Sequence, residues 1–135
     1  MKTAVIRKAQ FNSAHRLHNA AFSEAENQRI FGLCNLPNYH GHNYTLEVKL
    51  IGDIDPQTGF VYDLGLLKDI IDEEVIEAFD HKNLNLDTAE FATLNPTAEN
   101  IAVVIYNKIN ASNESAYEIK LKLYETERNM VEYPC

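Results

Sequence analysis

A strand-like alternation headed by two histidines is the feature that most constrains how this chain can fold. In NYTLEVKLIG, apolar residues alternate with polar ones from Tyr44 to Leu50, which predicts a half-buried antiparallel strand. Residues two apart in a strand share a face, so His40 and His42 point toward the apolar side that follows them. Burying two imidazoles without a polar partner is costly. A bound metal would remove that cost, and a histidine cluster held by surface hydrogen bonds is the alternative.

A third histidine lies near the end of the first predicted strand. The segment TAVIRKAQFNSAHRL is predicted to be a long strand because its apolar residues share one parity, namely Val5, Ala9, Phe11 and Leu17. His15 has the same parity, and it reaches the two other histidines if the two long strands pair. Three histidines without an obvious fourth protein ligand are typical of a catalytic zinc whose last position is open. We interpret His18, in the polar loop that follows, as an ordinary loop residue or an outer contact.

The remaining pattern predicts helices and hairpins in one domain. SEAENQRIFG reads as a short helix with a capping box of Ser23 and Glu26. DIDPQTG is a turn, and FVYD is expected to return as a hairpin partner. Two amphipathic helices are predicted at 63–79, with Asp63 as N-cap, and at 96–110, separated by a loop. A strand and hairpin at 116–133 end the chain. The expected class is α+β, an antiparallel sheet with two main helices on one face, in a single domain spanning 1–135.

Composition limits the partners. The chain has 135 residues and a formal net charge of -8, which argues against a general nucleic-acid or anionic-membrane binder. The beginning of the chain lacks an apolar segment of signal-peptide length, and the longest apolar run, IAVVIY, is far too short to span a membrane. We therefore expect a cytoplasmic protein. Its two cysteines, Cys34 and Cys135, are expected to be free thiols.

Three further clusters carry possible chemistry. Cys34 precedes His40 by six residues and could be a fourth ligand, a buried spacer or a base. Asp80 beside His81 could hold the imidazole tautomer, although an Asx turn with a solvated histidine is the plainer interpretation. Glu125 continues the apolar parity of EIKLKLYETE. Its carboxylate could accept two hydrogen bonds from an amidine-like ligand edge, or it could be an ordinary strand-end charge.

Several linked motifs resemble one enzyme family. CNLPNYHGHNY, FDHKNLN, PTAEN and YETERN, in this order and at these spacings, closely resemble the 6-pyruvoyl-tetrahydropterin synthases, and FNSAHRLHNA upstream fits as well. The likeness runs from about Phe11 to about Tyr133. It implies the tunnelling fold, a four-stranded antiparallel sheet with two helices on one face. Three subunits would join their sheets into a barrel, and two trimers would stack into a homohexamer.

The resemblance also implies an activity. The substrate would be 7,8-dihydroneopterin triphosphate, from which triphosphate is eliminated to give 6-pyruvoyl-tetrahydropterin in tetrahydrobiopterin biosynthesis, without an external redox cofactor. The family pattern assigns zinc ligation to His15, His40 and His42. It also implies that Cys34 is the general base, supported by Asp80 and His81 of a neighbouring subunit. The resemblance assigns pterin binding to three further residues: Glu125 as the anchor, with Thr97 and Glu99 in the pocket segment.

The chain departs from the family pattern at a few positions. Family members often carry two threonines before the pocket glutamate, whereas this chain has Thr97 followed by Ala98, so one pocket hydroxyl is absent. Tyr39 stands where a glycine is common. The triphosphate needs cations, and the sequence offers three candidates: Arg16, Arg29 and Lys82.

Three other functions fit parts of the sequence. The nearest is 6-carboxy-5,6,7,8-tetrahydropterin synthase of queuosine biosynthesis, which resembles the chain in fold, zinc site and substrate. The five residues between Cys34 and His40 look more like the pyruvoyl enzymes, since the queuosine enzymes usually have a shorter gap. A zinc hydrolase acting on a purine-like ring is a more distant alternative, and the sequence has no clear glutamate base beside the ligands to support it. If the chain were a non-catalytic metal-binding oligomer, the joint presence of Cys34, Asp80 and His81 would have no explanation.

Overall fold

A single sheet organises the fold. A computed structural model of the chain describes residues 1–113 and 117–135. Strands β1 (Lys2–His15) and β2 (His40–Asp53) pair antiparallel along their whole length, and β4 (Glu118–Tyr124) and β5 (Met130–Tyr133) extend the sheet beyond β2. The two-residue strand β3 (Lys82–Asn83) lies parallel to β1, which gives the order β3-β1-β2-β4-β5. The sheet therefore has five strands where four antiparallel ones were expected.

Two helical segments cover one face of the sheet, and they confirm the expected α+β class. The first runs from α2 (Leu64–Ile71) through a π-helical turn (Asp72–Ile76) into α3 (Glu77–Phe79). The second is α5 (Ala98–Ala111). The side chain of Asp63 caps α2, because its carboxylate accepts a hydrogen bond from the Gly65 N–H at 2.7 Å. None of the helices that the structure describes is long and apolar enough to cross a membrane.

The short helix α1 (Glu24–Phe31) forms where the capping box predicted it. The Ser23 hydroxyl accepts from the Glu26 N–H at 3.2 Å, and the chain passes directly into a 3₁₀ turn, Gly32–Asn35. Gly32 allows this change of direction, because its φ of 55° lies in the left-handed region. The turn leads the chain back toward the start of β2.

Two predicted segments differ from the structure, and one prediction is only partly testable. Residues 60–63 form no strand. Val61 is buried against Gly52, and Asp63, two residues later, is already the N-cap of α2. The predicted loop after α3 contains β3 and a single helical turn, α4 (Leu84–Asp87), whose N-cap is Asn83. Ala116, the first residue of the predicted terminal strand, lies outside the described residues.

The two faces of the sheet differ in character. The helix-covered face carries the core, in which Phe11, Tyr44, Leu46, Val48 and Leu121 are almost fully buried. The opposite face carries charged side chains. Of the strands that the structure describes, only β3 lies on the outer side of β1, and it pairs with Ser13 and Ala14 alone. Residues 2–11 of β1 therefore present a long outer edge that another chain could pair with, because the backbone of Asn12 is already bonded to Asp80 and His81.

Candidate active site

Strand register brings the three predicted histidines together. His15 lies directly opposite His40 in the β1–β2 pairing, and His42 lies opposite Ser13, one position further along the same face. The three ring centroids are 4.5 to 5.1 Å apart. One ring nitrogen of each histidine lies within 4.8 Å of those of the other two. The cluster sits where the buried face of the sheet ends.

Several ring nitrogens of the cluster are buried without a hydrogen-bond partner in the described part of the chain, which indicates a binding site for a ligand that the chain does not contain. Nε2 of His15, Nε2 of His42 and both nitrogens of His40 are buried without a hydrogen-bond partner among the described residues. Nδ1 of His15 lies 2.8 Å from the Pro96 carbonyl, which can only accept, so Nδ1 carries the proton and Nε2 presents a lone pair. Orphaned buried polar atoms are rare in proteins and call for a ligand.

The electrostatics of the cluster favour the neutral form of His15 and of His40. The pKa of His15 is lowered to about 4, chiefly by burial and to a smaller extent by His40 and His42, against the opposing effect of the hydrogen bond to Pro96. The pKa of His40 is also lowered, mainly by burial and then by His42. Neutral imidazole is the form that binds zinc, and a carbonyl partner on the far nitrogen is the usual way to fix its tautomer. The donor set therefore fits a zinc ion with one open position.

Cys34 is held against the histidine end of the sheet by the turn that contains it. The Leu17 N–H donates to the Cys34 carbonyl at 2.9 Å, and Asn35 binds both Arg16 Nε (2.8 Å) and His18 Nδ1 (2.7 Å). The thiol is partly buried. Its pKa is raised, first by burial and then by the Glu125 carboxylate. In the single chain it is therefore a thiol, and a base role requires a cation to approach it.

The carboxylate of Glu125 lies beside two of the three histidines. It follows β4 in a tight turn, in which the Glu125 N–H donates to the Asn129 carbonyl at 3.0 Å. Its carboxylate oxygens lie 3.9 Å from His15 Nε2 and 3.8 Å from His42 Nε2, too far for hydrogen bonds. The side chain is 23% exposed, so one side of the carboxylate remains open to a ligand.

The segment PTAEN contributes more to positioning than its side chains suggested. Thr97 is the N-cap of α5, because its hydroxyl accepts from the Asn100 N–H at 3.2 Å. Glu99 lies exposed in the first turn of that helix. The contact that reaches the histidines is the backbone carbonyl of Pro96, which was not predicted. Since it is a carbonyl, no side-chain pattern could have identified it.

Asp80 and His81 form a separate pair on the outer edge of β1. The carboxylate of Asp80 accepts from the Asn12 N–H at 2.8 Å, and the His81 N–H donates to the Asn12 carbonyl at 2.6 Å. These contacts, led by the Asn12 N–H, lower the pKa of Asp80. His81 Nδ1 lies 2.9 Å from the Asp80 carboxylate, yet its side chain is 83% exposed. Among the described residues, no hydrogen bond or ion pair joins this pair to Cys34.

Comparisons with known proteins identify the family. A model of the 6-pyruvoyl tetrahydropterin synthase family matches residues 4–134. The chain is 42% identical over 129 residues to human 6-pyruvoyl tetrahydrobiopterin synthase, covering 96% of this chain and 89% of the relative. The chain belongs to the 6-pyruvoyl tetrahydropterin synthase family.

Other relatives refine this placement. The solved structure of Caenorhabditis elegans 6-pyruvoyl tetrahydropterin synthase superposes with a TM-score of 0.93 at 41% identity, covering 98% of this chain and 95% of that one. The fold expected from the family resemblance is thus confirmed for the single chain. A more distant relative is 6-carboxy-5,6,7,8-tetrahydropterin synthase of Rickettsia conorii, 31% identical, covering 93% of this chain and 96% of the relative.

The structure explains one departure from the family pattern. Tyr39, which stands where a glycine is common in the family, has a φ of 66°. That left-handed conformation is free of steric cost for glycine and strained for other residues. Tyr39 directly precedes His40, so the turn that leads into β2 at the histidine cluster keeps the glycine-like geometry without the glycine.

Proposed function

We propose that the chain is a zinc-dependent 6-pyruvoyl-tetrahydropterin synthase, which converts 7,8-dihydroneopterin triphosphate to 6-pyruvoyl-tetrahydropterin with elimination of triphosphate. The observation that carries the proposal is the cluster of His15, His40 and His42, each of which has a buried ring nitrogen without a hydrogen-bond partner among the described residues. The relatives of about 40% identity that bear this name support the choice of substrate.

The proposed roles follow from the positions of the side chains. Zinc bound by the three histidines would supply Lewis acidity toward the substrate's side-chain oxygens. The Glu125 carboxylate would bind the amidine-like edge of the pterin in a charge-assisted pair. Cys34 would accept the proton released beside the acidified carbon. Asp80 would fix His81 with Nδ1 protonated, so that Nε2 is left to exchange protons with the thiol of another subunit.

A product assay tests the proposed activity. We expect the zinc-loaded protein, incubated with dihydroneopterin triphosphate, to yield a pterin with the mass of the pyruvoyl product and free triphosphate. The mass of a carboxy-tetrahydropterin together with acetaldehyde would assign the chain to the queuosine reaction instead. An unchanged substrate would refute both.

Loss of one histidine should remove the metal. His42→Ala deletes one of three ligands, and two imidazoles bind zinc far more weakly than three, so we expect purified His42→Ala protein to contain a small fraction of the wild-type zinc. Elemental analysis by plasma mass spectrometry provides the measurement. The exposed His81 gives the control, since His81→Ala should keep its zinc. Equal zinc in His42→Ala and wild-type protein would contradict the assignment.

Glu125→Gln should weaken pterin binding without releasing the metal. The substitution keeps the shape but exchanges an acceptor for a donor, so the loss of a charge-assisted pair should lower pterin affinity about 10- to 100-fold. Fluorescence titration with a pterin measures this. Glu127→Gln, an exposed neighbour in the same turn, is the control and should bind normally. If the zinc content of Glu125→Gln falls in parallel, the carboxylate is a metal ligand rather than a pterin anchor.

We also propose that the protein is a homohexamer of two stacked trimers, with each sheet joined to its neighbours in a barrel. The long outer edge of β1 at residues 2–11 supports this, because a free strand edge is a site for pairing with another chain. The exposed imidazole of His81 supports it too, because a neighbouring subunit would give it a partner.

A further inference from the structure

A second cavity adjoins the histidine cluster and is chemically distinct from it. The cavity has a volume of about 530 Å³, and its polar lining consists of Arg16, His18, Asn19, Tyr39, Asn85, Thr93 and Asn95. Three of these residues connect it to the metal centre. Arg16 follows His15, Tyr39 precedes His40, and Asn95 precedes Pro96, whose carbonyl binds His15.

The cavity lacks negative charge in a chain that is strongly negative. None of the described residues that line it is Asp or Glu, although the formal net charge of the chain is -8. Its cation is Arg16, for which the described residues offer no carboxylate within 4.0 Å. An arginine without an acidic partner beside an acid-free cavity is a feature of anion sites.

Two of the three asparagines that line the cavity, Asn19 and Asn95, have engaged oxygens and available NH₂ groups. Asn95 Oδ1 accepts from the His18 N–H at 3.2 Å, and Asn19 Oδ1 accepts from the Ala21 N–H at 2.9 Å. In the part of the chain that the structure describes, the NH₂ groups of Asn19 and Asn95 have no partner. Both N–H donors of such an amide are therefore available to an incoming ligand.

Arg16 is preorganised for such a ligand. Its backbone is fixed on both sides by Asn85, which accepts from the Arg16 N–H at 2.8 Å and donates to the Arg16 carbonyl at 2.9 Å. Its Nε donates to the Asn35 carbonyl at 2.8 Å, which orients the guanidinium and leaves the two terminal nitrogens for a ligand. A cation that is already ordered loses less entropy when it binds.

We infer that this cavity binds the polyphosphate of the substrate, with Arg16 as its cation and the NH₂ groups of Asn19 and Asn95 as neutral donors. The inference rests on the proposed function and adds to it the place where the leaving group is held. The other two candidate cations fit less well. Arg29 and Lys82 are both exposed and do not line this cavity. A neighbouring cavity, which Arg16 also lines together with Asn35, includes Glu24, whose carboxylate would repel an anion.

Calorimetric titration with inorganic triphosphate tests the inference without requiring turnover. We expect Arg16→Met to weaken triphosphate binding about 10- to 100-fold and to leave binding of dihydroneopterin, which has no phosphate, unchanged. Arg7→Met is the matched control, since Arg7 is half-buried like Arg16 but lies within β1 and does not line the cavity, and it should bind triphosphate normally. The value of kcat/KM for dihydroneopterin triphosphate should fall in Arg16→Met by a similar factor.

An isosteric variant keeps the test decisive if Arg16→Met fails to fold. Asn95→Asp retains the oxygen that accepts from the His18 N–H but adds a negative charge inside the cavity, so triphosphate binding should weaken. Asn110→Asp makes the same change of net charge at an exposed position of α5 and should bind normally. If both Asp variants bind like the wild type, the cavity is not the anion site.

The metal must be separated from the cavity, because triphosphate also binds zinc. His42→Ala protein should still bind triphosphate, and zinc measured before and after each titration should be constant. Loss of binding in His42→Ala with normal binding in Arg16→Met would place the anion on the metal and overturn the inference. A protein that binds triphosphate through Arg16 but forms no pyruvoyl product would retain this site and refute only the proposed function.

Discussion

Cys34→Ala protein should keep its zinc and its oligomeric state and lose almost all turnover. Removing a general base typically lowers the rate about 10²- to 10⁴-fold, and Cys34 is the partly buried thiol beside the histidine end of the sheet. Its raised pKa shows that the single chain holds it as a thiol. A metal ion and a neighbouring imidazolium would supply the positive charge that a thiolate needs.

The measurement combines initial rates with zinc analysis. Cys135→Ala is the control, since Cys135 is an exposed free cysteine at the end of the chain and should leave the rate unchanged. Cys34→Ser separates basicity from size, and it should be nearly as inactive as Cys34→Ala, because a hydroxyl is a much weaker acid than a thiol. Loss of zinc together with activity would make Cys34 a ligand. Normal turnover would remove it from the mechanism.

The proximity of the three histidines could be predicted because it depends on strand geometry. Alternation in β2 fixes the face of His40 and His42, and antiparallel pairing then requires only that His15 has the matching parity. The two covering helices could be predicted for the same kind of reason, since their apolar spacing and the Asp63 cap are local in sequence. Periodicity depends only on neighbouring residues, so it can be recognised in the sequence without knowledge of the fold.

Features that depend on distant backbone contacts could not be predicted. The Pro96 carbonyl that orients His15 comes from a segment 81 positions away. The pairing of β3 with β1 adds a fifth strand only two residues long, too short to leave a period. FVYD was expected to return as a hairpin partner, but Asp63 at its end is the N-cap of α2. The first two features are contacts between distant segments, whereas in FVYD one local signal, the helix cap, outweighed another.

Mixed oligomers should regain activity that neither parent has. The Cys34→Ala and His81→Ala proteins should each be nearly inactive, because each lacks one member of the proton-transfer pair. In the single chain the His81 side chain is 83% exposed and contacts Asp80, on the outer edge of β1, while Cys34 lies in the 3₁₀ turn before β2. If the two meet across an interface, a site with Cys34 from one chain and His81 from another can be intact in a mixture.

The expected recovery follows from random mixing. When equal amounts of the two variants are unfolded together and reassembled, half of the Cys34 positions and half of the His81 positions are intact. About a quarter of the shared sites then carry neither mutation, and activity should rise to about that fraction of wild type. Native mass spectrometry must show mixed oligomers. As a control, a mixture of the folded variants that is kept too cold for subunits to exchange should stay inactive. Mixed oligomers as inactive as their parents would mean that each site is built within one chain, because no chain in the mixture carries both residues.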